Sequence, residues 1–280
     1  MQRCNHLLRQ RACVRVSAIG AIFAFLHLAG AAEAEPPAHQ EQLHFAHPLV
    51  VESPSPDTKI RLHYFFDNDA GEDKDQVHTL HLEAEFAFAR WVSLEVDTPY
   101  TFISPEEGGS RHNVGDVEVA LKFACFAFAE SGLLLGAGIE FGIPTGNDDK
   151  GIGSSHTAVV EPFLDAGFKV RDLETVAFLA FGVPFNTKGG DEAHEADWEV
   201  EWELAFLYHV MPWLEATVEF EGEHVVGGEE DGVTVFNMTP GIKVTPFEQH
   251  AFKIGAGVSF PLTHDNEYNV RGVFSLFYHF

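Results

Sequence analysis

The sequence is poor in cysteine. Of its three cysteines, Cys4 and Cys13 lie in the first 13 residues and leave Cys125 alone in the rest of the chain, so no intramolecular disulfide framework can hold the fold. No uninterrupted apolar run reaches the roughly 20 residues that a membrane-spanning helix needs. That excludes a helical membrane protein but not a β-barrel, whose alternating strands leave no hydropathy peak. No long stretch carries helical periodicity. Bases are scarce too, with 17 Lys and Arg against 43 Asp and Glu. So acidic a chain repels phosphates, which excludes nucleic acid as a partner. No serine stands in a G-x-S-x-G context, so no enzyme is expected, and no cofactor.

What is present begins with residues 1–34, which read as a cleaved secretory signal peptide. Arg3, Arg9, Arg11 and Arg15 form a positive region, Val16–Ala29 an apolar one, and Ala32-Glu33-Ala34 an A-x-A cleavage site. Neither Cys4 nor Cys13 follows the apolar run, as a lipidated cysteine would. Removing this segment takes away four of the 17 bases and one of the 43 acids, leaving 13 against 42 and a formal charge near −29. Residues 35–57 carry Pro and His without a clear period and read as a periplasmic lead-in or partial plug.

From residue 58 to 280 period-2 runs recur. Ile60, Leu62, Tyr64 and Phe66 alternate with Lys59, Arg61 and His63, and Leu80–Phe88, Val92–Val96, Val117–Phe128 and Leu133–Ile143 continue the pattern. Ala158–Val170, Thr175–Phe185, Trp198–Tyr208, Leu214–Gly222, Val233–Val244, Phe252–Phe260 and Tyr268–Phe280 complete about twelve strands. The connections alternate long and short, from a long Asp67–Gln76 and a tight turn at Arg90 to a moderately long Thr263–Glu267. A sandwich has no reason to sort loops by parity, whereas outer-membrane barrels have short periplasmic turns and long external loops. The fold expected is therefore all-β: a single antiparallel transmembrane barrel of about 12 strands with both termini periplasmic.

Alternation also assigns faces. One face of each strand is aliphatic or aromatic and suits lipid; the other carries the acids and must face the lumen. The lumen-lining candidates are Glu83, Glu85, Glu95, Asp97, Glu118, Glu140, Glu161, Asp165, Glu199, Glu201, Glu203, Glu215, Glu219 and Glu221, with Lys59, Arg61, Lys122, Lys169 and Lys253 as the luminal bases. In an open barrel these acids favour cations; in a filled one they pack against the bases as a structural wall. Trp91, Tyr100, Trp198, Tyr208, Trp213, Tyr268 and Tyr278 fall near strand ends, where an interfacial girdle lies. Cys125 shares parity with the lipid-facing residues of its strand and reads as a packed or lipid-facing apolar residue. Gly136 and Gly138 sit on an alternating strand and read as sites of close packing.

Metal sites are not expected. Sixteen histidines are many, but His78 and His81 fall on opposite faces of one strand, and His44 and His47 lie in the unperiodic lead-in. A zinc site would need distant residues to converge. The acidic loops Asp67–Asp75 and Asn147–Gly153 fit no EF-hand and read as solvated. The closing strand ends Phe274, Leu276, Tyr278, Phe280, resembling the terminal signal that barrel assembly machinery reads. Partners expected are thus outer-membrane lipid, that machinery and a small solute.

Three segments carry a family resemblance: His47-Pro48-Leu49-Val50-Val51-Glu52-Ser53-Pro54-Ser55-Pro56-Asp57-Thr58, Gly115-Asp116-Val117-Glu118-Val119-Ala120-Leu121-Lys122-Phe123, and Phe141-Gly142-Ile143-Pro144-Thr145-Gly146. Together they resemble the outer-membrane transporter-like family named after the MetA pathway of phenol degradation. The resemblance implies a Gram-negative outer-membrane barrel moving small, often hydrophobic or aromatic compounds. The expected function is a channel passing a small solute through an acidic lumen, the alternative a closed structural or ligand- or metal-binding barrel.

Overall fold

A computed structural model describes residues 43–70, 75–105, 108–187, 198–227, 231–247 and 251–280. The expected signal peptide, 1–34, and the first part of the lead-in, 35–42, lie outside the described residues. The strands are β1 Lys59–Ala70, β2 Asp75–Ala89, β3 Val92–Ser104, β4 Arg111–Val114, β5 Val117–Cys125, β6 Leu133–Ile143 and β7 Thr157–Val170. They continue with β8 Leu173–Asn186, β9 Trp198–Met211, β10 Leu214–Val226, β11 Thr234–Val244, β12 Phe252–Pro261 and β13 Val270–His279.

Each strand pairs antiparallel with its sequence neighbour, β4 excepted, and β1 pairs with β13, so the sheet closes into a barrel of twelve strands. At the seam Ile60, Leu62 and Tyr64 of β1 stand opposite Tyr278, Leu276 and Phe274 of β13. Closure leaves no open edge in the twelve-stranded wall, which is the condition for a sheet to sit in hydrocarbon. β4 pairs with the far end of β3 alone and projects from the wall.

The faces follow the alternation. Ile60, Leu82, Phe86, Phe88, Phe141, Leu164, Phe181, Phe206, Ile242, Phe260 and Phe274 are all exposed on the outside. Their alternating neighbours Lys59, Arg61, Glu83, Glu85, Lys122, Glu174, Glu203, Glu219 and Lys243 are buried inside. A soluble monomer exposes contiguous apolar patches of at most a few hundred Å². A belt running round every strand fits lipid instead.

The structure corrects several expectations. Ser104–Val114 is not wholly loop, because Arg111–Ile103 and Val114–Tyr100 pairing builds β4 there. The long loop expected over Asp67–Gln76 is mostly strand: pairing continues past an irregularity at Asp67 to Ala70 and Asp75. Tyr268 is not in the girdle and not in the closing strand. It is 1% exposed, its hydroxyl 2.9 Å from Ser259 Oγ and its ring 4.1 Å from the Arg271 guanidinium; burial pushes the phenol up to about 12. Of the other girdle aromatics, Tyr100, Trp198, Tyr208, Trp213 and Tyr278 are exposed. Cys125 is packed, at 2% exposure. Gly136 and Gly138 face inward under tight contacts: a Cβ on Gly138 would lie 2.1 Å from the Phe163 ring and one on Gly136 1.4 Å from Asp165 Oδ1.

Thr58 and Phe280, joined by a 3.0 Å backbone hydrogen bond, lie at the same end of the barrel as the turns Arg90-Trp91, Arg171-Asp172 and Pro212-Trp213. This is called the short-turn end below.

Candidate functional site

The interior is filled from the short-turn end by residues 43–57. An extended segment with no strand partner must satisfy its N–H groups by other means, and here wall carboxylates accept them. Glu174 Oε2 takes Ala46 N at 2.8 Å, and Glu203 Oε2 takes Glu52 N at 2.9 Å. Glu219 does most, its two oxygens accepting Leu49 N at 2.7 Å, Val50 N at 2.7 Å and Val51 N at 3.1 Å. Bases hold the carbonyls: Lys243 Nζ donates to His47 O at 2.5 Å and Arg61 to Leu49 O at 2.8 Å. Bonds to ionised acceptors are shorter and stronger than neutral ones, so acids that composition alone would assign to a pore are in part a cradle.

Side chains complete the seat. Phe45, Leu49 and Val51 are fully buried. Leu49 enters a socket on β11 and β12, where a Cβ on Gly241 or Gly255 would come within 2.3 Å of its methyl groups. Glu52 pairs with Lys122 Nζ. Burial raises the Glu52 carboxyl, but Lys122, with Lys59 and Arg61, outweighs it and holds the group below its ordinary value.

That shift has a pH consequence. A carboxyl depressed in the seated segment, against about 4.3 when free, stabilises seating fully above that value, a contribution lost as pH falls from it through the lower seated value. Below about pH 4 the segment should therefore become more accessible to an acid-active protease. Glu52→Gln should flatten that response relative to the parent; an equally steep one in both would remove Glu52 as a cause.

Beyond the segment, toward the long-loop end, lies a cavity of about 290 Å³ floored by Val50 and Glu52. Of the sequence candidates, Glu83, Glu95, Asp97, Glu118, Glu140, Glu161, Glu201 and Glu203 line it, with His63, His81, Phe65, Phe163 and Phe178. Among the described residues no Lys or Arg ion pair reaches Glu118, Glu140, Glu161 or Glu201, whereas His81 Nδ1 meets Asp97 at 3.0 Å. Glu85 and Glu215 are bound to bases: Glu85 to Lys59 at 2.6 Å, Glu215 to Lys243 at 2.7 Å and Lys253 at 3.0 Å. Glu219 holds the segment, and Asp165 is buried beside Gly136. Glu199 and Glu221 lie further along β9 and β10 and do not line the cavity.

Two luminal bases escaped the sequence reading, Lys243 and Arg271, the latter 2.6 Å from Asp67. Strand parity would have found both, since each alternates with outward residues. Glu174, also missed, meets Lys169 at 2.7 Å and His209 at 2.9 Å.

No family model matches the chain, and no curated protein matches it in sequence. Solved structures do resemble it. The NanC porin aligns over 80% of this chain and 98% of its own, with a TM-score of 0.54 and 8% identity. The translocator domain of the autotransporter NalP from Neisseria meningitidis aligns over 95% and 98%, with a TM-score of 0.54 and 10% identity. The fold is one that porins and autotransporter translocators share. At such identities the likeness extends no further than the fold, and the resemblance to the phenol-degradation family rests on its three segments alone.

Proposed function

We propose that the chain is an outer-membrane channel that passes small cationic solutes through an acidic lumen, closed at the short-turn end by residues 43–57. The observation that carries this is the cavity wall, where Glu118, Glu140, Glu161 and Glu201 converge on one space with no Lys or Arg ion pair among the described residues. Negative rings of this kind raise the local concentration of cations and exclude anions. That one structural neighbour is a porin supports a channel reading. Phe65, Phe163 and Phe178 share the wall, so an organic cation with an apolar body meets both of its needs there. The hydrophobic or aromatic compounds implied by the family resemblance would meet the rings alone.

Reversal potentials in planar bilayers under a salt gradient test the reading. Cation preference is expected, strongest after residues 43–57 are deleted; anion preference, or no conductance even without the segment, would overturn it. A parallel expectation concerns assembly. Phe280 is 75% exposed at the end of the closing strand, and its deletion should lower the yield of heat-modifiable, membrane-inserted barrel. An unchanged yield would count against its role as a signal.

A further inference from the structure

His44 and His47, in the unperiodic lead-in, come together with an acid at the short-turn mouth. Ser55 Oγ accepts Phe45 N at 2.9 Å, which folds the segment back on itself and brings Asp57 beside His44 and His47. One ligand atom from each of His44, His47 and Asp57 lies within 4.8 Å of the others. Nε2 of His44 is 3.5 Å and Nε2 of His47 3.4 Å from Asp57 Oδ2. His279, from the closing strand, donates from Nδ1 to the same oxygen at 2.6 Å. The burial of one of these imidazoles adds to the case. His47 is 2% exposed, and its Nε2 faces only the Asp57 carboxylate, at 3.4 Å, without a hydrogen bond of good geometry, a costly condition for a buried polar atom.

We propose that His44, His47 and Asp57 bind a divalent transition metal of the zinc class, with His279 as the positioning residue that orients the carboxylate. Two imidazoles and one carboxylate are a donor set suited to zinc, and they leave a fourth position for water. The ligands are held before any ion arrives. Ala46 N is fixed by Glu174 and His47 O by Lys243, while Asp57 Oδ1 accepts Thr58 N at 2.7 Å. His44, with 44% of its side chain exposed, opens the site to the surrounding solution.

Lys59 Nζ stands 3.2 Å from His47 Nδ1. Metal at Nε2 moves the ring proton to Nδ1, so that contact is given up. Lys59 keeps Glu83, Glu85 and Glu95 within 3.4 Å, and these acids offset its own charge beside the site. A bound ion joins both arms of the segment and, through Asp57 and His279, the closing strand. Ions that bind only the seated segment favour seating by mass action.

The test is titration of Zn²⁺ alone into the purified full chain in detergent, by calorimetry, with Co²⁺ absorption as a second readout. One equivalent should bind, with a tetrahedral Co²⁺ spectrum. His44→Ala, at an exposed position that does not threaten folding, should weaken the tight equivalent at least ~10-fold, and His279→Gln by about 10-fold. Asp57→Asn should lose the Co²⁺ spectrum. Equal affinity in the parent and His44→Ala would assign binding to other histidines and overturn the site, as would the absence of a tight equivalent. These measurements need no conductance, so their failure is distinct from failure of the channel reading.

Discussion

Glu219→Ala should unseat residues 43–57 and raise the open probability of the barrel, shifting the seated-to-unseated ratio about 100-fold or more. The carboxylate receives three consecutive N–H groups, from Leu49, Val50 and Val51, and a fourth donor from Thr217 Oγ1 at 2.8 Å. Glu219 is itself 0% exposed, so no water replaces it freely. Each buried donor left without an acceptor costs about 1–3 kcal/mol, and even the low end for three groups amounts to two powers of ten. Glu219→Gln keeps one acceptor oxygen but turns an amide NH₂ toward a backbone N–H, so it should fall between parent and alanine variant. Bilayer conductance and protease cleavage within 43–57 are the two measurements. If both are unchanged in Glu219→Ala, the segment is held elsewhere and the gating account fails.

The barrel was legible because its signal is periodic. Alternation in Trp198–Leu204 or Leu214–Phe220 sets the face of every residue at once, and the structure places Glu203, Glu215 and Glu219 inside and Val218 and Phe206 outside accordingly. The seating of the lead-in was not legible in the same way. Backbone N–H groups bound to carboxylates leave no period, and the partners of Leu49 and Val51 lie about 170 residues away. One trace existed: Gly241, Gly255 and Gly257 are small residues on inward positions of adjacent strands, an inner groove that something had to fill. The proposed metal ligands were hidden for another reason: His44, His47 and Asp57 are close in sequence but lie in a segment without a period, and the Phe45–Ser55 hydrogen bond that folds them together leaves no pattern. Only their neighbour His279 comes from the far end of the chain. Loop length was misjudged at β1–β2, because polar residues such as Asp67 and Asp75 read as loop although the backbone pairing continues through them.

Lys59→Met should produce the largest loss of barrel stability among single lumen changes. The ammonium is 1% exposed and sits 2.7 Å from Glu83, 2.6 Å from Glu85 and 3.4 Å from Glu95. Those acids belong to β2 and β3, while Lys59 begins β1 directly opposite His279 at the seam, so one cation ties three strands at the point of closure. Removing one member of a buried ion cluster leaves uncompensated charge and costs about 3–5 kcal/mol. The pair Arg111–Asp75, at 3.4 Å between a 44% exposed base and a buried acid, offers a comparison: with solvent screening the base, its loss should cost less than that of Lys59. Urea unfolding followed by the heat-modifiable shift on gels ranks the two variants. Adding Glu85→Gln to Lys59→Met should recover part of the loss, because the carboxylate closest to the vacated site is then neutral. An unfolding midpoint for Lys59→Met equal to that of Arg111→Ala would mean that Lys122, 3.7 Å from both Glu85 and Glu95, neutralises the cluster by itself, and the closure role of Lys59 would be lost.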